Sequence, residues 1–336
     1  MQDQTAVVIT SIAYPTEAVR KIADHALATG TRFFLIGDVP SPKDFSQDGC
    51  DFYSLERQAS LDLAFAQICP KRHYARKNIG YLEAIRSGAT RILETDDDNI
   101  PFETFWTERG REVEAPVFET ESSRWVNVYS YFSKEVIWPR GIPLEALAGA
   151  NPDWSGARTR KVLCPIQQGL ADENPDVDAV YRLTRPLPVN FEPDRTVALG
   201  RGAWCPFNSQ NTVFWPEAYP LLYLPAYCSF RMTDIWRSFV AQRIAWENGW
   251  NILFYSSTVI QERNDHSLLR DFADEVPGYL NNAAIGAALD ALPIRAGAEH
   301  MPDNLRICYE KLVSMKLVGG DELPLLEAWI GDLGGK

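Results

Sequence analysis

A chain of 336 residues, 46% apolar and 23% charged, is long enough to bury a sizeable core and has the composition of an ordinary folded protein. Its net charge of −12 argues against a nucleic-acid-binding surface, which needs clustered Lys and Arg to neutralise phosphates. Six scattered cysteines without a C-x-x-C pair fit neither a zinc framework nor a dense disulfide scaffold. The strand-like run Ala6-Val7-Val8-Ile9 stands where a signal peptide would be, and no segment approaches the roughly 18 apolar residues of a membrane span. The expectation is a soluble cytoplasmic protein, at most peripheral to a membrane.

The first hundred residues alternate strand and helix. Residues 6–11 read as a strand covered on both faces. Thr16 caps a helix whose apolar positions Val19, Ile22, Ala23, Ala26 and Leu27 fall at helical spacing, and Gly30 closes it. A second strand is expected at 32–38, a helix at 76–86 and a third strand at 91–95. This alternation predicts an α/β fold with a mostly parallel sheet, whose ligand crevice lies at the carboxyl ends of the strands. From 110 to 230 prolines and aromatics loosen the pattern, with strand candidates at 125–132 and 179–183. A helix at 234–248, a strand at 251–256 and helices near 304–317 and 321–333 follow. With no repeat or clear linker, the simplest division is a catalytic domain over 1–265 and a helical extension over 266–336.

The triplet Asp96-Asp97-Asp98 ends the run Ile92-Leu93-Glu94-Thr95. In extended backbone Asp96 and Asp98 point the same way. Such hard oxygen ligands suit Mg²⁺ or Mn²⁺, which take their remaining ligands from water and substrate phosphates. An acidic loop is the plainer reading. Ser11 and Asp38 at the ends of two other strands, with Thr10 beside Ser11, favour a metal–diphosphate site. The densest basic stretch, Lys71-Arg72-His73-Tyr74-Ala75-Arg76-Lys77-Asn78, leads into a helix N-terminus, where anions are favoured. Arg76, Lys77 and Asn78 are therefore assigned to a nucleotide diphosphate, against the alternative of a solvated basic face. Asp234 opens a helix, as an N-cap or as a general base facing the cleft. Asp176 and Asp178 lie in a stretch whose Asp, Asn and Pro fit a turn, with a substrate contact as the alternative. The four histidines show no metal-ligand spacing, and Walker, nucleophile-elbow and dinucleotide motifs are missing.

Taken in order, Thr95-Asp96-Asp97-Asp98, Trp138-Pro139-Arg140-Gly141, Pro175-Asp176-Val177-Asp178, Phe207-Asn208-Ser209-Gln210-Asn211-Thr212 and Asp234-Ile235-Trp236-Arg237 carry a resemblance. The chain resembles a GT-A glycosyltransferase, more narrowly the STELLO-type proteins. It is similar, more distantly, to the reversibly glycosylated polypeptides of plants, which are UDP-arabinopyranose mutases. The likeness spans roughly residues 5 to 265. It implies a Rossmann-like GT-A fold and a nucleotide-sugar donor, a UDP-sugar above all. It further implies Asp96 on the nucleoside or metal, Asp97 beside it, Asp98 on Mn²⁺ or Mg²⁺, and Asp234 as base. Asp176, Asp178, Asn208, Gln210, Asn211, Trp236 and Arg237 would line the acceptor or sugar subsite. Related proteins carry a histidine shortly after the strand matching 251–256. Here that region reads Thr258-Val259-Ile260-Gln261, so Gln261 or His266 is the candidate third ligand. The expected function is metal-dependent sugar transfer to a glycan, lipid-linked or small-molecule acceptor, with a homodimer as the candidate assembly. A nucleotide-sugar mutase and a non-catalytic partner of a glycan synthase complex are the alternatives.

Overall fold

The computed structural model describes residues 4–262 and 267–334. His266, the alternative third ligand, lies outside the described residues. The main sheet has the strand order β3 (Asp51–Tyr53), β2 (Arg32–Ile36), β1 (Thr5–Thr10), β4 (Arg91–Thr95), β12 (Asn211–Phe214), β9 (Ile166–Asp172), β13 (Ile252–Gln261), β10 (Thr196–Leu199), β6 (Glu112–Phe118), β8 (Arg158–Leu163). The short β5 (Asn99–Pro101) pairs with β13. A separate pair joins β7 (Arg124–Trp125) to β11 (Ala203–Trp204). The four strands β3-β2-β1-β4 are parallel throughout, as the strand–helix alternation requires. Beyond β4 the sheet is mixed: β12 runs antiparallel to both β4 and β9.

Period-two alternation divides the core between the two faces of this sheet. Val7 and Ile9 pack with Val19, Ile22 and Ala23 of α1 (Glu17–Thr29) on one side. Ala6 and Val8 pack with Ile79 and Leu82 of α4 (Lys77–Arg86) on the other. Thr16 caps α1 through the Val19 amide, and Gly30 ends it at φ +76°, a left-handed position that a Cβ disfavours. Chain order reverses between β1 and β4, which opens a crevice at their carboxyl ends.

Two segments differ from expectation. Residues 179–183 form the helix α5 (Ala179–Thr184), because Asp178 caps it through the Tyr181 amide; so short an apolar run fits either period. Of 125–132, only Trp125 lies in a strand, at the end of β7, and Val128–Tyr131 is a 3₁₀ turn. Asn127 draws the chain off the ladder: its side-chain amide donates to the Ile137 carbonyl, its backbone N–H donates to Asn151 Oδ1, and its carbonyl accepts Asn151 Nδ2. The remaining helices are α2 (Leu55–Ala59), α3 (Ala64–Ile68), α6 (Thr233–Glu247), α7 (Leu268–Asp290), α8 (Met301–Ser314) and α9 (Glu322–Gly334). Of these, α2, α3 and α7 were not foreseen; in α7, Pro277 and Gly278 interrupt the pattern, and Gly278 lets the Met232 sulfur lie against its backbone. The last helices join the main core: Trp329 meets Phe65 edge-on and Tyr223 at a 49° tilt. Glu322 accepts the Ala226 and Tyr227 amides and the Tyr223 hydroxyl. No helix of the described residues is long and apolar enough to cross a membrane.

Candidate donor site and its buried charge network

At the crevice between β1 and β4 lies a cavity of about 480 Å³. Thr10 and Ser11 after β1, Asp38 after β2 and Asp96, Asp97 and Asp98 after β4 all line it, joined by Gln261 from β13. The strand stops at Thr95, so the three carboxylates stand in a turn rather than on extended backbone, and side-chain period two does not orient them. Individual hydrogen bonds do so instead. The Asp97 carboxylate accepts the Ser11 hydroxyl, and its carbonyl accepts the Thr16 hydroxyl, tying the triplet to the cap of α1. Asp96 Oδ1 accepts Tyr74 Oη at 2.7 Å and Lys77 Nζ at 2.9 Å. Asp98 Oδ2 accepts Gln261 Nε2 at 3.2 Å, while its Oδ1 is buried without a partner. Burial first, then Asp96 and Asp97, pushes the Asp98 carboxyl up to about 7. Asp38 receives the Val39 and His73 amides and so fixes the loop that enters α4.

The basic stretch is built inward. Lys77 is fully buried, and its ammonium donates to Tyr74 Oη, Asp96 Oδ1 and the Thr95 and Ser209 carbonyls. Four acceptors exceed its three N–H groups. It orients Asp96 and has no donor left for a diphosphate. Arg76 binds Gln58 Oε1 and the Cys69 carbonyl, so its guanidinium, though at the cavity wall, is engaged within the protein. Asn78 points away, bridging the amide and carbonyl of Leu224. The geometry thus replaces the expected diphosphate grip of Arg76, Lys77 and Asn78 with structural roles. A solvated basic face is equally wrong for these three.

A second set of charges lies behind the cavity. Arg140 donates to both oxygens of Asp176 at 2.8 and 2.9 Å and to both oxygens of Asp234 at 3.0 Å. Asn208 Nδ2 donates to Asp176, and the Ser209 amide to Asp234. Tyr74 Oη lies 2.7 Å from Ser209 Oγ and so connects this set to Asp96. Sequence reasoning missed Tyr74 and Ser209, although both stand inside stretches singled out for other residues.

A sequence model described as STELLO glycosyltransferases matches residues 231–335. The probable glycosyltransferase STELLO2 of Arabidopsis thaliana is 31% identical over 295 residues, 82% of this chain and 38% of that protein. The probable glycosyltransferase STELLO1 of the same plant is 30% identical over 300 residues, 83% of this chain and 38% of that protein. The chain belongs to the STELLO glycosyltransferase family. It spans about two fifths of the length of these curated relatives. A solved mycobacterial protein is similar with a TM-score of 0.43 at 12% identity, over 84% of this chain and 76% of that one.

In this STELLO chain the remaining expected subsite residues scatter. Gln210 bonds Asn99, and Asn211 bonds the Leu170 carbonyl and Thr258 inside the sheet. Gly169 is small because a Cβ there would lie 2.5 Å from the Asn211 amide. Trp236 is fully buried and donates to Asn282, away from the cavity. Arg237 is buried against Glu94, with N–O distances of 3.0 and 2.7 Å. Asp178 caps α5 and accepts Trp138 Nε1, and burial raises its carboxyl to about 6. Asn208 is the exception: its Nδ2 donates to Asp176 at 2.9 Å, its Oδ1 accepts the Gln210 amide and its carbonyl accepts Arg237, but none of these four lines the cavity.

Asp234 is neither the expected N-cap nor a free base. Residue 232 takes the cap position of α6. Burial raises the Asp234 carboxyl, but the Arg140 guanidinium outweighs it and holds the group below the usual carboxylate range. A carboxylate so held is a poor proton acceptor. Asp234→Asn is expected to lower stability by about 1.5–3 kcal/mol, because one amide cannot replace two oxygens facing a buried Arg. Urea unfolding reads this. Unchanged stability with turnover reduced about 10²-fold or more would restore the base role.

Proposed function

We propose that this chain transfers a sugar from a nucleotide-sugar donor, a UDP-sugar, bound in the cavity at the carboxyl ends of β1, β2 and β4, with assistance from Mn²⁺ or Mg²⁺. The observation that carries this reading is the buried, unpartnered Asp98 Oδ1 beside Asp97 and Asp96. A buried carboxylate oxygen without a donor is costly unless a cation or hydrogen-bond donor satisfies it. Among the described residues no three His, Cys, Asp or Glu side chains form a ready cage. A cation bound here would take its remaining ligands from water and substrate phosphates. Asp98 would hold the ion, with Asp97 or Asp96 and the Gln261 amide next to it. Bound there, it supplies positive charge against the departing diphosphate.

The protein's own contribution is positional. Ser11 and Thr16 hold Asp97, Lys77 and Tyr74 hold Asp96, and Gln261 holds Asp98. The carboxylates are thereby kept in fixed places despite their mutual repulsion. With Asp234 clamped by Arg140, the acceptor hydroxyl has no base there. This favours transfer that needs no base at Asp234, by a retaining transferase or by a nucleotide-sugar mutase acting on its own donor. A panel of nucleotide sugars with Mn²⁺, followed by thermal shift and product analysis, tests the assignment. The expected result is stabilisation by one nucleotide class, with hydrolysis or transfer products. A ring-isomerised nucleotide sugar as sole product would select the mutase. Stabilisation by none of the panel would contradict a donor site.

A further inference from the structure

A second cavity, of about 130 Å³, is separate from the donor site and lined by different residues. Trp125, Asn127, Ser130 and Asn151 supply its polar and aromatic wall, with Ile142 and Leu147 opposite in character. None of its lining residues is charged, which makes it unsuited to a phosphate or nucleotide. The indole is a fixed platform. Trp125 stacks on Trp204 at 5.9 Å and 29°, meets Phe239 edge-on at 5.3 Å, and is approached closely by the backbone of Gly286. The amides are fixed too: Asn151 Nδ2 donates to Ser130 Oγ and the Asn127 carbonyl, and Asn127 Nδ2 to the Ile137 carbonyl. Yet Asn127 Oδ1 is buried and accepts no hydrogen bond. Such an orphan acceptor in a native protein calls for a missing donor.

We propose that this cavity is a subsite for a neutral pyranose ring. An aromatic surface beside amide and hydroxyl groups matches a ligand whose faces are C–H and whose rim is hydroxyl. One ligand hydroxyl would satisfy Asn127 Oδ1, and the cavity is far smaller than the roughly 300–1,000 Å³ that drug-sized ligands occupy. Ile142 in its wall stands two residues along the chain from Arg140, which grips Asp176 and Asp234. That the ring belongs to an acceptor glycan is a corollary resting on the transferase reading; binding of the ring does not depend on it.

The test is ligand-observed saturation-transfer NMR with methyl β-D-glucopyranoside as probe, alongside separate calorimetry with UDP and Mn²⁺. Ala146→Phe, which fills the cavity, is expected to weaken the transfer signal about tenfold while leaving UDP affinity unchanged. Should that variant fail to fold, Ser130→Trp at the exposed edge is expected to do the same. Lack of transfer in the wild type, equal transfer in a folded cavity-filling variant, or displacement of the glucoside by UDP would each overturn the subsite. Failure of UDP binding with the glucoside signal intact would instead overturn the donor assignment alone.

Discussion

Asp98→Asn is expected to abolish Mn²⁺-dependent binding of UDP while the fold survives. An amide oxygen is a weaker ligand for a hard cation than a carboxylate, and Asp98 carries the one side-chain oxygen of the triplet that is buried without a partner. Stability should hold or rise, because the substitution removes a negative charge from a cluster in which Asp96 and Asp97 already repel it. Isothermal calorimetry and a melting curve on the same preparation separate the two effects. Undiminished Mn²⁺-dependent binding would place the cation elsewhere. A collapsed melting temperature would make Asp98 a structural residue.

Arg237→Met is expected to be the most destabilising of the substitutions considered, by about 3–5 kcal/mol, with expression lowered accordingly. Both partners are almost wholly buried, with side-chain exposures of 1% for Arg237 and 0% for Glu94. Glu94 also receives the Tyr81 hydroxyl. Removing the guanidinium leaves a buried carboxylate with one neutral donor, whereas removing both charges leaves no such deficit. The double variant Arg237→Met with Glu94→Leu should therefore recover much of the loss, which chemical denaturation measures. If the single variant unfolds at the wild-type denaturant midpoint, the Arg237–Glu94 pair does not hold α6 to β4.

The N-terminal half of the fold was legible because its signals are local. Thr16 and Gly30 mark a helix by capping chemistry, and the runs of Ala6–Ile9 and Ile92–Leu93 mark strands by burial on both faces. Ser11, Asp38 and Asp96 could be gathered into one site because parallel topology brings strand ends together. The middle strands were not legible. β9 and β12 bury Gln167, Gln168, Asn211 and Thr212, which no hydrophobic pattern reveals, since long-range bonds such as Asn211 to Thr258 satisfy them. The same reason explains the misread cations. In sequence Arg76 and Lys77 look like a surface charge run, and their partners Gln58, Asp96 and Ser209 lie 18, 19 and 132 residues away. Asp234 was misread likewise, because its position at a helix start said nothing of Arg140, 94 residues earlier.

The central claim is that the crevice between β1 and β4 is a metal-assisted nucleotide-sugar site. Calorimetric titration of the wild-type chain with UDP in Mn²⁺, and again after chelation by EDTA, tests it most directly. The account predicts one-to-one binding in Mn²⁺ that is lost on chelation. UDP binding of equal strength in EDTA, or no binding of UDP in Mn²⁺, would contradict it.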